Sequence, residues 1–395
     1  MSPGTGNPAG TSRRHRAGAA RGRNAFAFDW TSLSWVPTVA FIMLRISRLN
    51  WLLLKTFSLD VLLHAACLSP GAAATSITIE GTHFVVNGKR CFLLGISYYG
   101  GLGASEDSIR KDLDDAQRYG INWLRLWATW AGFGSDVSAV GTDGGPREPF
   151  LGRLKWLVTE CDRRGLVVDV TLTRGKESRS SPAGGWVPDL ATHQRAVETL
   201  VTALKPQRNW YLDLANEHDV RDARYVSAAE LKTLRESVRR IDPARLVTAS
   251  FGGHDLVEQE MRESFVEVGL DFLTPHRPRT AGSPRQTESQ TRATLAAVDR
   301  LGYPAPVHYQ EPFRRGYGAW QPAAGDFLVD LRGAIAGGAA GWCFHNGAQN
   351  RAPASQPRRS FDLRDKRLFD QLDTEELSVV SQVAKAVAGW SKNPK

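Results

Sequence analysis

Two glutamates each end an apolar, strand-like run. Glu217 closes Trp210-Tyr211-Leu212-Asp213-Leu214-Ala215-Asn216-Glu217, and Glu311 closes Ala305-Pro306-Val307-His308-Tyr309-Gln310-Glu311. A pair of carboxyl groups facing each other is the equipment for cleaving a glycosidic bond: one attacks the sugar and the other moves the proton. Two strand-end acids do this only if the chain folds so that both strand ends open on one space. The elements between them therefore decide whether the pair is real.

The segments from residue 75 onward alternate short apolar runs with longer amphipathic ones. Ile77–Ile79 and His83–Val86 read as a small hairpin turning at Asn87-Gly88, a dipeptide suited to a tight turn. Strands then follow at 91–96, 122–127, 166–172, 210–215, 246–250, 270–274, 306–310 and 341–345. The helices between and after them fall at 106–119, 154–164, 193–204, 228–241, 256–266, 288–301, 326–336 and 375–390. In the first of these, Ile109, Leu113, Ala116 and Tyr119 make one apolar side among charges, and Gly120 ends it. Eight strand–helix units are the count of a (β/α)8 barrel, with the N-terminal hairpin plugging its bottom. An open, doubly wound sheet would carry a glycine-rich turn after its first strand. Here that turn is Ser97-Tyr98-Tyr99-Gly100-Gly101, too bulky for a phosphate to approach the backbone.

Barrel enzymes keep their chemistry at the C-terminal ends of the strands. Those ends hold Tyr98 and Tyr99, Arg125 and Trp127, Arg174, Asn216 with Glu217, His254, His276, Glu311, and Trp342 with His345. The set has acids, aromatics and donors. It has neither a His/Asp metal cluster nor a phosphate cradle, so neither a metal nor an organic cofactor is expected. His218 and Asp219 are the alternatives to Glu217 should the register differ.

The stretches Val86-Asn87-Gly88-Lys89-Arg90-Cys91-Phe92-Leu93-Leu94-Gly95 and Ile121-Asn122-Trp123-Leu124-Arg125-Leu126-Trp127 resemble the opening of clan A glycoside hydrolases, family 5 in particular. Asn216-Glu217 resembles that clan's fourth-strand pair, and Glu311 its seventh-strand nucleophile; the resemblance spans residues 77–345. It implies a retaining β-glycosidase with Glu217 as acid/base and Glu311 as nucleophile. It also implies substrate contacts from Asn216, to the sugar 2-hydroxyl, from His276, and from Trp342 as a stacking platform. Arg125 is expected to keep Glu311 ionised. Glu217 is expected to start protonated, raised by its surroundings and the neighbouring charge. Two positions depart from the family pattern: Pro278 stands where a tyrosine is usual, and His218 follows Glu217 where many relatives have proline. Tyr98, Tyr99 and Tyr309 are the candidates to supply the missing hydroxyl. Trp127, Trp130, Trp186 and Trp320 are candidates for outer subsites, against ordinary packing.

Arg277, Arg279, Arg314 and Arg315 follow the sixth and seventh strands. They read as solvated loop arginines, or as a grip for an acidic sugar, since a guanidinium holds an oxyanion through two parallel bonds. A transglycosylase using the same residues, and a non-catalytic carbohydrate-binding barrel, are the rival readings of the whole chain.

Composition bounds the partners. The formal charge is +9 over 395 residues, but eight arginines and lysines against Asp29 and Asp60 lie in residues 1–74. The basic excess thus belongs to a leader, and no nucleic-acid-reading stripe accompanies the remainder. Residues 1–34 have the composition of a disordered extension. From Met43, Arg45 and Arg48, an apolar run over 51–63 and Ala72-Ala73-Ala74 read as a secretory signal, which implies a secreted or periplasmic protein touching a membrane only through a leader or lipid anchor; a monomer is expected. Cys67, Cys91, Cys161 and Cys343 have no metal-type spacing and read as free thiols, although Cys91 and Cys343 fall on the first and last strands. The chain is thus divided into a leader, 1–74, and a catalytic barrel, 75–395.

Overall fold

The structure, a computed structural model, describes residues 74–172, 186–221, 224–346, 361–388 and 390. Residues 1–73, where the leader is expected and which include Cys67, lie outside the described residues, as does Arg174. No helix among the described residues is long and apolar enough to cross a membrane.

The described chain begins with an antiparallel meander, β1 (Ile77–Glu80), β2 (His83–Val86) and β3 (Lys89–Cys91). Its β2–β3 turn uses Asn87 and Gly88 at φ 51° and 75°, the left-handed pair that a two-residue hairpin requires. Cys91 therefore belongs to this meander and not to the barrel, whose first strand is β4 (Leu93–Tyr98). Helix α1 (Glu106–Arg118) is capped by Ser105, whose side chain accepts from the Ser108 amide. Strand β5 (Trp123–Trp127) is followed by a two-rung hairpin, β6 (Ala131–Gly132) and β7 (Ser135–Asp136), and helix α2 (Phe150–Arg163).

The alternation continues with β8 (Val167–Thr171), α3 (Leu190–Leu204), β9 (Trp210–Asp213) and α4 (Ala228–Ile241). The fifth barrel position is split into β10 (Val247–Thr248) and β11 (Ser250–Phe251), and α5 (Glu258–Arg262) continues as a π-helical turn, Glu263–Val268. Then come β12 (Thr274–Pro275), α6 (Ser283–Arg300), β13 (His308–Tyr309), α7 (Ala324–Gly337), β14 (Gly341–Phe344) and α8 (Thr374–Val387).

All the barrel strands pair in parallel. The order β10-β9-β8-β5-β4-β14-β13 forms one continuous sheet, β11 pairs with β12, and a bridge joins Leu273 to Val307. Backbone bonds from Leu273 N to Pro306 O (3.0 Å) and from His308 N to Leu273 O (2.9 Å) close the circle. The result is the eight-stranded barrel expected from the sequence.

The period-2 alternation of the strands sorts the core into two regions. Phe92, Leu94, Ile96, Leu124, Leu126, Val168, Val170, Trp210 and Leu212 pack outward against the helices. Leu93, Trp123, Val167, Tyr211, Phe272 and Cys343 fill the barrel interior. Ile77 and Phe84 of the meander belong to the interior group, with Phe84 edge-on to Phe272 at 5.0 Å, so the meander plugs the barrel bottom. Gly95 is a glycine because the Trp123 indole occupies the space its Cβ would need.

Candidate active site

Above the apolar floor the interior turns polar, and Arg125 organises it. This side chain is fully buried on β5 and points up the barrel axis. Its Nη2 donates to Asp213 Oδ2 (2.9 Å) and Asn216 Oδ1 (3.0 Å), its Nε lies 3.3 Å from Asp169 Oδ2, and its Nη1 donates to Glu311 Oε1 at 2.5 Å. The guanidinium also lies 4.4 Å from the centre of the Trp127 ring. Burial alone would drive the proton off Arg125, but Glu311, Asp169 and Asp213 hold it firmly cationic. Asp169 shows the opposite balance. Burial pushes its carboxyl up to about 8, opposed by Arg125 and aided by the nearby Asp213 charge.

Glu311 stands at the centre of the mouth. The Tyr99 hydroxyl donates to its Oε1 at 2.9 Å, and Arg279 Nη2 donates to its Oε2 at 3.2 Å. Burial raises its carboxyl, but His276, His345, Arg125 and Arg279 together outweigh that and hold it well below the usual carboxylate range. One oxygen of this ionised carboxylate is thus fixed in place by Arg125 and Tyr99.

Glu217 faces it. Its backbone adopts φ 49°, the left-handed region that a non-glycine residue rarely occupies, and its amide donates to Ser250 Oγ at 3.1 Å. That turn, just past the end of β9, throws the side chain across the mouth. Local strain of this kind is held in place by surrounding structure and gathers at functional sites. Glu217 Oε1 accepts from His276 Nδ1 (3.1 Å) and from Arg279 Nη2 (3.1 Å). The roles on His276 follow from its other side: Arg125 Nη1, which can only donate, lies 3.3 Å from Nε2, leaving Nδ1 to donate to Glu217.

Facing atoms of Glu217, His276 and Glu311 all lie within 4.8 Å of one another. So close an approach of the facing oxygens is compatible with a retaining pair, whose carboxyls are ~5–5.5 Å apart. It is also a spacing a metal ion could bridge; the cation that bridges the two carboxylates here is the Arg279 guanidinium.

The sequence expectation for Glu217 is corrected on one point. Burial does raise its carboxyl, but His276 and Arg279 outweigh burial, so the group is held ionised rather than protonated. Two further expectations fail because alternate strand residues face opposite ways. Trp342 points outward from the barrel, fully buried, with Nε1 donating to Asp330 Oδ2 on α7 at 2.7 Å; it is core and not a sugar platform. Tyr98 also points outward, its hydroxyl donating to Asp112 on α1 at 2.9 Å. Its neighbour Tyr99 points in, so Tyr99 supplies the hydroxyl that Pro278 cannot. Tyr309, the third candidate, bonds Thr291 at 2.6 Å away from the acids.

Trp127 is buried behind Tyr99, the rings stacked 4.0 Å apart, with Trp130 at 5.0 Å from Tyr99. Trp127 thus buttresses the site, and the less buried Trp130 borders it. Trp320 packs on Phe313 at 5.0 Å, and Trp186 is half-buried in the stretch before α3. His254 pairs with Glu260 at 2.8 Å, and His218 bonds Val226 O at 3.2 Å, both outside the glutamate pair. Cys91, Cys161 and Cys343 are free thiols.

Asp169 and Asp213, the acids beneath Arg125, are members of this polar network that the sequence reading passes over. A signal exists for them: counting by twos from inward Val167 and Tyr211 reaches both. Arg314 and His345 gain a relationship no spacing could show. Arg314 Nη1 donates to His345 Nε2 at 2.6 Å, so Nδ1 of that ring carries the hydrogen that faces Ser97 Oγ, 3.1 Å away.

No family model matches the chain. A curated relative, mannan endo-1,4-beta-mannosidase A of Podospora anserina, is 24% identical over 235 residues, 51% of this chain. The chain spans 61% of that relative's length. Among solved structures, a glycoside hydrolase family 5 mannosidase from Rhizomucor miehei superposes with a TM-score of 0.58 at 13% identity, covering 81% of this chain and 99% of that one. An exo-beta-1,4-mannosidase from Opitutaceae bacterium strain TAV5 superposes with a TM-score of 0.56 at 18% identity, covering 80% of this chain and 64% of that one. These likenesses agree with the closed (β/α)8 barrel described above.

Proposed function

We propose that this chain is a retaining β-glycoside hydrolase of the family 5 type, with Glu311 as nucleophile and Glu217 as acid/base. The observation that carries the reading is the short separation of the two strand-end carboxylates across one mouth, within 4.8 Å. The likeness to mannan-cleaving relatives supports it and makes β-mannan the first neutral polymer to try.

The chemistry follows from the contacts. Glu311, ionised and oriented by Arg125 and Tyr99, attacks the anomeric carbon. The bond to the leaving oxygen breaks, and Glu217 gives that oxygen a proton. For this Glu217 must first be released from Arg279, whose Nη2 occupies the space between the carboxylates. Loss of that cation raises the Glu217 carboxyl, because a nearby positive charge is what favours its ionised form. The product of the first step is a glycosyl ester on Glu311. Its formation removes a negative charge beside Glu217, which, now deprotonated, takes a proton from water as that water attacks the anomeric carbon. The ester bond breaks, Glu311 is restored, and the sugar leaves with its original configuration. Asn216, pinned through Oδ1 to Arg125, stands beside Glu217 to meet the 2-hydroxyl.

Glu217→Gln and Glu311→Gln each remove one of these roles without changing side-chain volume. Each is expected to lower kcat on β-mannan or a β-linked oligosaccharide by at least the ~10²–10⁴-fold that a positioned acid/base contributes. A near-wild-type rate in either variant would remove that glutamate from the mechanism.

A further inference from the structure

Four arginines follow the sixth and seventh strands, and the structure separates them into two pairs. Arg277 is committed to the scaffold: its Nε donates to Asp255 Oδ1 at 2.8 Å and its Nη1 to Thr287 on α6. Arg315 is likewise committed, to Asp373 at 2.7 Å and to Pro322 O. Arg279 and Arg314 are not used in this way. Both guanidiniums lie against one ring, that of Tyr317, at 5.0 and 4.8 Å from its centre. The ring itself is exposed. Two cations are thus held side by side at the mouth, one of them reaching the catalytic carboxylates.

Neither cation is fully partnered. Among the described residues, no carboxylate lies within ion-pair distance of Arg314, whose contacts are His345 Nε2 and Tyr317. The Nε of Arg279 is buried without a hydrogen-bond partner. Arg279 Nη2 sits 3.1 Å from Glu217 and 3.2 Å from Glu311, in the space that a glycosidic oxygen and its anomeric carbon must take. Substrate and Arg279 cannot both occupy it. When the sugar enters, Arg279 gives up two ion pairs at once, and a guanidinium freed beside Arg314 adds to the uncompensated positive charge.

We infer that Arg279 and Arg314, stacked on Tyr317, form an anion-binding subsite, and that the sugar chain bound at this mouth carries an oxyanion, a carboxylate or a sulfate, next to the bond to be cleaved. This rests on the glycosidase reading of the mouth and names the chemistry of its substrate. The oxyanion takes the place of the two glutamates as the partner of Arg279, and Arg314 grips its other side. Binding then does two things. It compensates the charge at the rim, and it draws Arg279 away from Glu217, freeing that carboxyl to accept the proton it must deliver.

The test is binding, which is independent of turnover. The full chain is titrated calorimetrically with a β-linked oligosaccharide bearing a uronic acid, with its carboxyl-reduced counterpart, with a sulfated β-linked oligosaccharide, and with its desulfated counterpart. One anionic member is expected to bind at least about ten-fold more tightly than its neutral partner, the factor that one charge-assisted hydrogen bond supplies. Which anionic member wins identifies carboxylate or sulfate as the source. Arg314→Gln, which leaves Arg279 in place, is expected to lower the winning ratio several-fold; a ratio is insensitive to the fraction of folded protein. Equal affinities within both pairs, no binding of any member, or a ratio unchanged in Arg314→Gln would overturn the inference. Selective binding of an anionic chain with no cleavage of it would instead contradict the glycosidase reading while leaving the subsite in place.

Discussion

Arg125 Nη1 donates to Glu311 Oε1 at 2.5 Å, with both side chains shut away from solvent. This contact joins the barrel interior to the chemistry at its rim. The same guanidinium lies against Asp169 and Asp213 below, so one residue both ties the polar interior together and holds the carboxylate of Glu311. Removing it strands acids in an apolar barrel. Arg125→Gln is expected to cost about 3–5 kcal/mol of stability, the usual loss when one partner of a buried ion pair is deleted. Urea unfolding followed by circular dichroism measures it; a loss under about 1 kcal/mol would mean the acids are neutralised without Arg125.

Tyr99→Phe removes one donor from Glu311 and leaves the ring stacked on Trp127. A hydrogen bond to a charged group contributes about 1.5–3 kcal/mol, so kcat/KM is expected to fall roughly ten- to a hundred-fold. The sign of the pH effect is also set. A carboxylate that loses a donor binds its proton more tightly, so the acid limb of the kcat/KM profile moves to higher pH. A profile that keeps its acid limb while losing rate would place the Tyr99 contact elsewhere.

Trp342→Phe separates a core role from a sugar platform. The indole N–H is bonded to Asp330, whose carboxyl burial already pushes up to about 6. Losing that donor and some packing is expected to cost about 1–3 kcal/mol of stability. KM for a β-linked oligosaccharide should stay as it is. A large rise in KM with stability intact would return Trp342 to the binding site.

Glu376 gives the fold a pH dependence of its own. It lies buried in the first turn of α8, accepts from the Asp373 amide at 2.8 Å, and burial raises its carboxyl from 4.5 to about 8. A carboxyl raised in the folded state binds its proton more tightly there than in the unfolded chain. Its contribution is therefore fully present below about 4.5 and lost as pH rises through about 8. A tenfold difference in proton affinity between folded and unfolded chain is worth about 1.4 kcal/mol, so at most a few kcal/mol separate the two ends. Glu376→Gln keeps the acceptor and removes the titration. Its Tm should exceed that of the wild type at about pH 9 by more than at about pH 5, on either side of the titration. A pH-independent difference would contradict the raised carboxyl.

The strand and helix rhythm, and with it the barrel, can be read from the sequence because each element carries its own periodicity. Glu217 and Glu311 are legible for the same reason: both end apolar runs. What the sequence leaves blurred is facing. Trp342 and Tyr98 sit one residue away from inward positions, and a single-residue difference along a strand turns a side chain from the mouth to the helices. Asp169 and Asp213 show the converse, acids hidden in strands that look continuously buried. Arg279 lies furthest from sequence reading. Its loop follows Pro278, and only the folded chain shows that its guanidinium ends between two acids from other strands. Together with the His276 hydrogen bond, that position also reverses the expected charge of Glu217.

The central claim is that Glu311 becomes covalently bonded to the sugar. The direct measurement is mass spectrometry of the intact chain and its peptides after incubation with a 2-deoxy-2-fluoro β-glycoside bearing a good leaving group, the fluorine slowing release of the ester. The predicted result is one added glycosyl mass on the peptide containing Glu311, absent in Glu311→Gln. Turnover of the parent β-glycoside to a product of inverted configuration, or labelling of Glu217 instead, would contradict it.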